Sequence, residues 1–300
     1  METIMNISDF FIKGDIKGAI RYMKENEKYK DILPLYISLF EEEKYIEYDI
    51  PPLLNDILRQ YQIYYRNIFY LEMKEDEASS ILKKSLREIL NVDSEDESLL
   101  VDKLQEVFLA KGYNSLFGRT QGLYGPYIWK ETVPTTYEVE LPHKVTKYKV
   151  NILKGFVFRS FMDYLTFGRF GTGGWASKDG TINCIEKAYD FSSERFLISL
   201  LKHEAQHLED MKRYPSITTE ELEYRAKLVE LYYSNDLNLI NKFIFEASGE
   251  REGDSHSLAS SKIKRNFIDI DLSSISSIKK RAIELFDSDS EELDKKYNIK

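Results

Sequence analysis

The chain has few of the residues that several kinds of chemistry require. Its one cysteine, Cys184, rules out a disulfide framework and an all-cysteine metal site; a lone thiol is expected to pack as a small apolar residue. No stretch approaches the roughly 20 uninterrupted apolar residues of a membrane span. The first residues, METIMNISDFFIKGDIKG, lack the basic start, apolar middle and small-residue cleavage site of a leader. A cytoplasmic protein without a membrane partner is therefore the expectation. Basic blocks and RNA-binding signatures are missing too, and 42 basic against 51 acidic residues give a formal charge of −9, so nucleic acid is a poor default partner. Histidine is scarce, with four residues in 300, which gives weight to any pair of histidines at a meaningful spacing.

Aromatic residues are plentiful, 21 Tyr and 17 Phe, enough for a large Tyr-rich core and surface. A length of 300 residues accommodates two modest domains, or one main domain with a helical appendage. From residue 8 to about 91 the composition reads as helical, in DIKGAIRYMKENE, YKDILPLYISLFEEEK, LLNDILRQYQIYYRNIFYLEM and EASSILKKSLREIL, punctuated by Pro34 and by Pro51-Pro52. No register recurs at a fixed period, so a helical region, able to recruit a protein partner or only to buttress the rest, is preferred over a repeat array. The acidic run 93–97 marks a boundary or caps the next helix.

Beyond Gly112 the period changes. TTYEVELP and KYKVNIL alternate as strands, with His143 in the turn between them; turn residue is the favoured reading of His143 and metal ligand the lesser one. FVFRSFMDYLTFGRF reads as helical or mixed. The cluster Gly171-Thr172-Gly173-Gly174 has no following Lys-Ser/Thr and is not a phosphate loop. Gly174-Trp175-Ala176, an Asp179-Gly180 turn and 181–185 instead read as a hairpin. If Gly174, Trp175 and Ala176 form a free edge, their backbone could hold an extended peptide as an added strand.

Two of the four histidines stand four apart, in His203-Glu204-Ala205-Gln206-His207. The segment 192–210 has a serine start, Glu194 in its first turn and no proline or glycine, so it is expected to be helical. Residues four apart on a helix share a face, about 6 Å apart along the axis, and two imidazoles so placed can bind one metal. Glu204 projects beside them, where a carboxylate can act as a general base without being a ligand. Phe196, Leu200, His203 and His207 make one stripe, and Leu197, Leu201, Glu204 and Leu208 the next, so the motif continues a core-facing surface. Buried there, it calls for a partner. The competing reading is a chance match on a solvated helix.

A catalytic zinc usually has three protein ligands. After His207 comes Leu-Glu-Asp-Met-Lys, with no downstream glycine and histidine to complete a metzincin pattern. A second helix is expected over 220–233, with Thr218 and Glu221 as a capping box and Leu222, Ala226, Val229 and Tyr233 on one face. HEAQH followed by a helix with Glu223-Tyr-Arg-Ala226-Lys resembles the gluzincin zinc metallopeptidases, over roughly 171–233. That resemblance implies Glu223 as the third ligand, with Glu221 and Glu220 as the alternatives, and small Ala226 for close helix approach. Where many gluzincins carry an aspartate behind a ligating histidine, this chain has Lys227; Asp210 or a carbonyl is the expected substitute. The resemblance also suggests His256, or an unidentified tyrosine, as stabiliser of the oxyanion, against the plain reading of a loop histidine.

The resemblance implies an α+β, zincin-like domain, expected over 93–300, with a small sheet, the HExxH helix and a helical lower subdomain; the N-terminal helical region over 1–92, read from its composition, does not contribute to the resemblance. The implied function is a Zn²⁺-dependent metallopeptidase acting on a peptide or protein substrate, with Glu204 as base. The alternatives are a non-enzymatic scaffold or regulatory binding protein with a structural or inactive site, and a zinc hydrolase of a non-peptide amide. The closing segments NLINKFIFEA, IKKRAIELF and SEELDKKY read as helical, with the last charged residues frayed.

Overall fold

In the computed structural model, residues 7–120, 122–177, 179–247 and 255–299 are described. The polar stretch just before His256 and the Lys178 of the hairpin turn lie outside them. The chain is mixed α+β and divides into two compact units, residues 1–131 with 155–172, and 132–154 with 173–300.

The first unit runs through α1 (Ile7–Lys13), α2 (Ile16–Lys24), α3 (Leu33–Tyr36), α4 (Pro52–Phe69), α5 (Glu75–Leu90) and α6 (Glu97–Ala110), then β1 (Asn114–Thr120) and β2 (Leu123–Trp129). The chain leaves it for β3 (Glu131–Leu141) and β4 (Lys144–Lys154), and returns for β5 (Phe158–Arg159) and α7 (Ser160–Thr166). The expected boundary between 92 and 93 falls inside this unit, between α5 and α6. There Asp96 accepts from the Ser98 N–H at 2.9 Å, so the acidic run caps α6. Proline opens α4 at a position where a missing N–H costs nothing. The buried Leu54, Ile57, Leu58, Tyr61 and Tyr65 of α4 join the aromatic core of the unit. A sheet begins earlier than the alternation at 135 suggests, because β1 and β2 pair antiparallel from Asn114↔Trp129 to Thr120↔Leu123. Gly118, Gly125 and Pro126 interrupt the alternation that would have disclosed those strands.

The second unit holds the four-stranded sheet β3-β4-β7-β6, completed by β6 (Gly174–Ala176) and β7 (Ile182–Ile185). β4 and β7 are parallel, Val150↔Ile182 to Leu153↔Ile185, and β6 is antiparallel to β7, which leaves β6 at the sheet edge. Gly180, at φ 84°, makes the turn of the hairpin. His143 is a turn residue, at φ 63° between β3 and β4; its Nε2 lies 2.7 Å from Asp287 Oδ1.

Next come α8 (Glu194–Phe196), a π-helical segment (Leu197–Lys202) and α9 (His203–Arg213), one uninterrupted helical run. Ser193 caps it, accepting from the Phe196 N–H. The expected helix is present, with a correction: the π turn widens it just before His203, and Leu197 is 41% exposed instead of continuing the buried stripe. Such turns are frequent at functional sites. The run is followed by α10 (Thr219–Tyr233), α11 (Leu237–Glu246), α12 (Ser255–Asn266) and α13 (Ile275–Tyr297). The capping box of Thr218 and Glu221 is formed. The expected fraying at the C-terminus does not hold through Tyr297: the helix is capped by a left-handed Asn298 and tied by Arg213 to Asp294 and by Lys296 to Glu221.

Val139, Tyr148, Val150, Ile152, Ile182 and Cys184 of the sheet form one core with Phe196, Leu200, Leu201, Ala205 and Leu208 of the helical run and Tyr224, Leu228 and Val229 of α10. Each large apolar side chain fully buried in this way contributes roughly 1.5–3 kcal/mol. Cys184 is a core residue, and burial pushes its thiol up to about 12, which makes it inert.

Candidate metal centre

Burial on one side of α9 carries His203 and His207 toward α10. The two rings meet edge to face, their centroids 4.5 Å apart, as the i, i+4 spacing requires. From α10, Glu223 reaches both: its Oε2 is 3.5 Å from His203 Nε2 and its Oε1 is 3.4 Å from His207 Nε2. One ligand atom from each of His203, His207 and Glu223 lies within 4.8 Å of the others, and among the described residues no other His/Cys/Asp/Glu group has such geometry. The side chains are 9–12% exposed. Ala226, wholly buried, sits one turn past Glu223 on α10. Of the two alternatives to Glu223, Glu220 is exposed, and Glu221 is held by Thr218 and Lys296.

The polar atoms of the donor set fit a bound cation. Glu223 Oε2 and His207 Nδ1 are buried without a hydrogen-bond partner among the described residues, a costly condition for polar atoms. A cation between the Nε2 atoms and the carboxylate would satisfy Glu223. Two imidazoles and a carboxylate suit zinc, and the set fits. Electrostatics agree. Burial alone would lower the His203 imidazole, yet Glu223 and Glu230 raise it to about 10. Burial would raise Glu223, but His203, His207 and His256 hold it far below the usual carboxylate range. The pocket thus favours positive charge among its carboxylates.

Glu204, half-buried, does not join the triad. Its Oε2 accepts from the backbone N–H of Ala176 at 2.9 Å, so the edge strand and the glutamate of HExxH are hydrogen-bonded. β6 gives its other groups to β7: Ser177 N–H donates to Thr181 O, and Ile185 N–H to Gly173 O. Gly174 and Ala176 therefore turn their backbone groups to the side away from β7. Gly174 lies close over the helical run, since a Cβ there would meet the Asn183 carbonyl and, at 2.7 Å, Leu200 Cδ1. Trp175 stands opposite Asn183 in the register, on the other face of the strand from Gly174 and Ala176.

His256, near the start of α12, lies against the triad. Its Nδ1 is 2.9 Å from Glu223 Oε2, an ion-pair contact without the alignment of a hydrogen bond, and its side chain is 59% exposed.

The expected substitute for the aspartate absent at Lys227 was misplaced. Asp210 is engaged by Arg225 Nε at 2.9 Å, and no hydrogen bond joins it to His203 or to His207 Nδ1 among the described residues. The carboxylate on the back of His203 is Glu230, whose Oε1 is 2.7 Å from His203 Nδ1. Sequence reasoning missed it, although Glu230 stands seven residues after Glu223, two turns along the same face of α10. Lys227 is buried instead against Glu246, its Nζ 2.8 Å from Oε2. No helix among the described residues is long and apolar enough to cross a membrane. Comparisons with protein-family models, curated proteins and solved structures return no match for this chain.

Proposed function

We propose that the chain is a zinc-dependent metallopeptidase of gluzincin type with a zincin-like second unit, acting on a cytoplasmic peptide or protein. The observation that carries this reading is the convergence of His203 Nε2, His207 Nε2 and a Glu223 oxygen within 4.8 Å, beside a glutamate that is not part of the set. His203, His207 and Glu223 would hold the zinc, which when bound lowers the pKa of a water toward about 7 and polarises a carbonyl.

The remaining work falls to the chain's own residues. Glu204, kept in place by the Ala176 N–H, takes the proton from the attacking water on its carboxylate and returns it to the departing amine. An extended substrate backbone is placed along Gly174, Trp175 and Ala176 at the outer edge of β6, the side of the strand away from β7. His256 stands close enough to Glu223 to meet a developing oxyanion as a donor.

The contact of His256 with Glu223 also favours a second reading, a structural site closed by four protein ligands in a scaffold or binding protein. An unbiased peptide library incubated with the zinc-loaded chain and with Glu204→Gln separates the two. The peptidase reading expects cleavage by the wild type and none by the variant. Zinc uptake without cleavage of any peptide favours the scaffold or a non-peptide amide as substrate.

A further inference from the structure

Helix α10 holds His203 by both ring nitrogens. Glu223 lies 3.5 Å from Nε2, and Glu230, two turns on, lies 2.7 Å from Nδ1. Glu230 is 4% exposed and His203 9%. A carboxylate buried that deeply needs a partner, and the described contacts of its side chain are with this ring. The ring therefore has one nitrogen committed to Glu230 and the other turned to the site.

We infer that Glu230 is a positioning residue: it accepts the Nδ1–H of His203, fixes the tautomer that presents Nε2, and makes that nitrogen a stronger donor to a divalent cation. This rests on the proposed metal site and names a residue that the HExxH motif does not contain. The arrangement at His207 supplies the contrast, because its Nδ1 has no hydrogen-bond partner among the described residues. The two histidines are thus unequal. His203 is braced from behind and His207 is not, so the charge of Glu230 acts on the first.

The rest of α10 explains why the brace stands at 230. Lys227 is one turn past Glu223, but its ammonium is buried over the Phe243 ring and bonded to Glu246. Arg225 points to Asp210 and Asp289. Lys227 and Arg225 are thus committed to other carboxylates, and beyond Glu223 the buried charge of α10 that meets His203 is Glu230.

The test uses the full chain with zinc alone as the probe, as Glu230→Gln and Glu230→Leu beside wild type. Zinc affinity is read by competition with a chromophoric chelator. The Nδ1 proton of His203 in the zinc-loaded protein is read by NMR, where a short bond to a carboxylate shifts it far downfield. The expected result is a loss of zinc affinity of about 10-fold in Glu230→Gln, which keeps an acceptor oxygen but no charge, and up to about 100-fold in Glu230→Leu. The Nδ1 proton should move upfield in Glu230→Gln and exchange rapidly with solvent in Glu230→Leu. Zinc affinity within twofold of wild type in Glu230→Gln, with the proton unmoved, overturns the inference and leaves the metal site intact. If Glu230→Leu does not fold, the Glu230→Gln arm decides. Wild-type chain that takes up no divalent metal overturns both this inference and the reading on which it rests.

Discussion

The backbone N–H of Ala176 donates to Glu204 Oε2 at 2.9 Å, joining the edge strand to the glutamate of HExxH. In the proposed role of base, Glu204 would take and return a proton and so benefit from the fixed orientation that this peptide group gives it. Glu204→Gln keeps an acceptor oxygen for that N–H while removing the basic carboxylate. The expected outcome is unchanged zinc affinity with peptide hydrolysis reduced by about 10²–10⁴-fold. Measuring metal content and turnover on the same preparations checks it, and a variant that still cuts at the wild-type rate would assign the base elsewhere.

The approach of β6 to the helical run depends on Gly174. A methyl group there runs into the Asn183 carbonyl and Leu200, so Gly174→Ala must push the edge strand away from Glu204. Overpacking of this kind costs about 1–3 kcal/mol. A urea unfolding midpoint lowered to match, accompanied by weaker peptide cleavage, is expected; a variant as stable as wild type would show that the strand has room.

Arg225 braces α10 against two other helices. Its guanidinium bonds Asp210 on α9 and Asp289 on α13 and lies 4.2 Å from the Phe286 ring centroid, all of it buried. Arg225→Ala leaves Asp210 without its counter-charge and is expected to destabilise the fold by about 3–5 kcal/mol. Chemical denaturation of the metal-free protein measures this. A change below about 1 kcal/mol, the size of an exposed pair, would contradict the assigned role.

The Lys227–Glu246 pair gives a pH signature. Burial acts to raise the Glu246 carboxyl, but Lys227, Lys242 and Ser260 together hold it below its ordinary 4.5. A carboxyl depressed on folding contributes stability above its unfolded pKa and loses it as the pH falls. Glu246→Gln should therefore be less stable than wild type by about 2–3 kcal/mol at neutral pH, with the gap closing below pH 4.5. Urea midpoints at neutral and acidic pH report it. An equal gap at both would mean that packing, not charge, accounts for the loss.

Much of the centre was legible in the residues because it is local. The i, i+4 spacing of His203 and His207 fixes their common face once the segment is helical, and Ser193 and the lack of proline or glycine make it helical. Glu223 is not local to them. The HExxH spacing is silent about it, and only the resemblance singled it out. The placement of Glu230 escaped because an i+7 carboxylate on a helix full of charge, Glu220 to Glu230, looks like a solvated face until burial is known. The π turn at Leu197–Lys202 has no proline or glycine to announce it. β1 and β2 were hidden by Gly118, Gly125 and Pro126, and the split of the chain into two discontinuous units depends on contacts between segments far apart in sequence.

A bound metal is the first requirement of the proposed function. Purified chain, loaded with zinc and dialysed, should retain one zinc per molecule by elemental analysis, while Glu223→Ala and His207→Ala retain little or none. Retention of one zinc by wild type and its loss in both variants is the result predicted here; wild type without bound metal, or variants that hold it as well as wild type, would contradict the assignment of His203, His207 and Glu223.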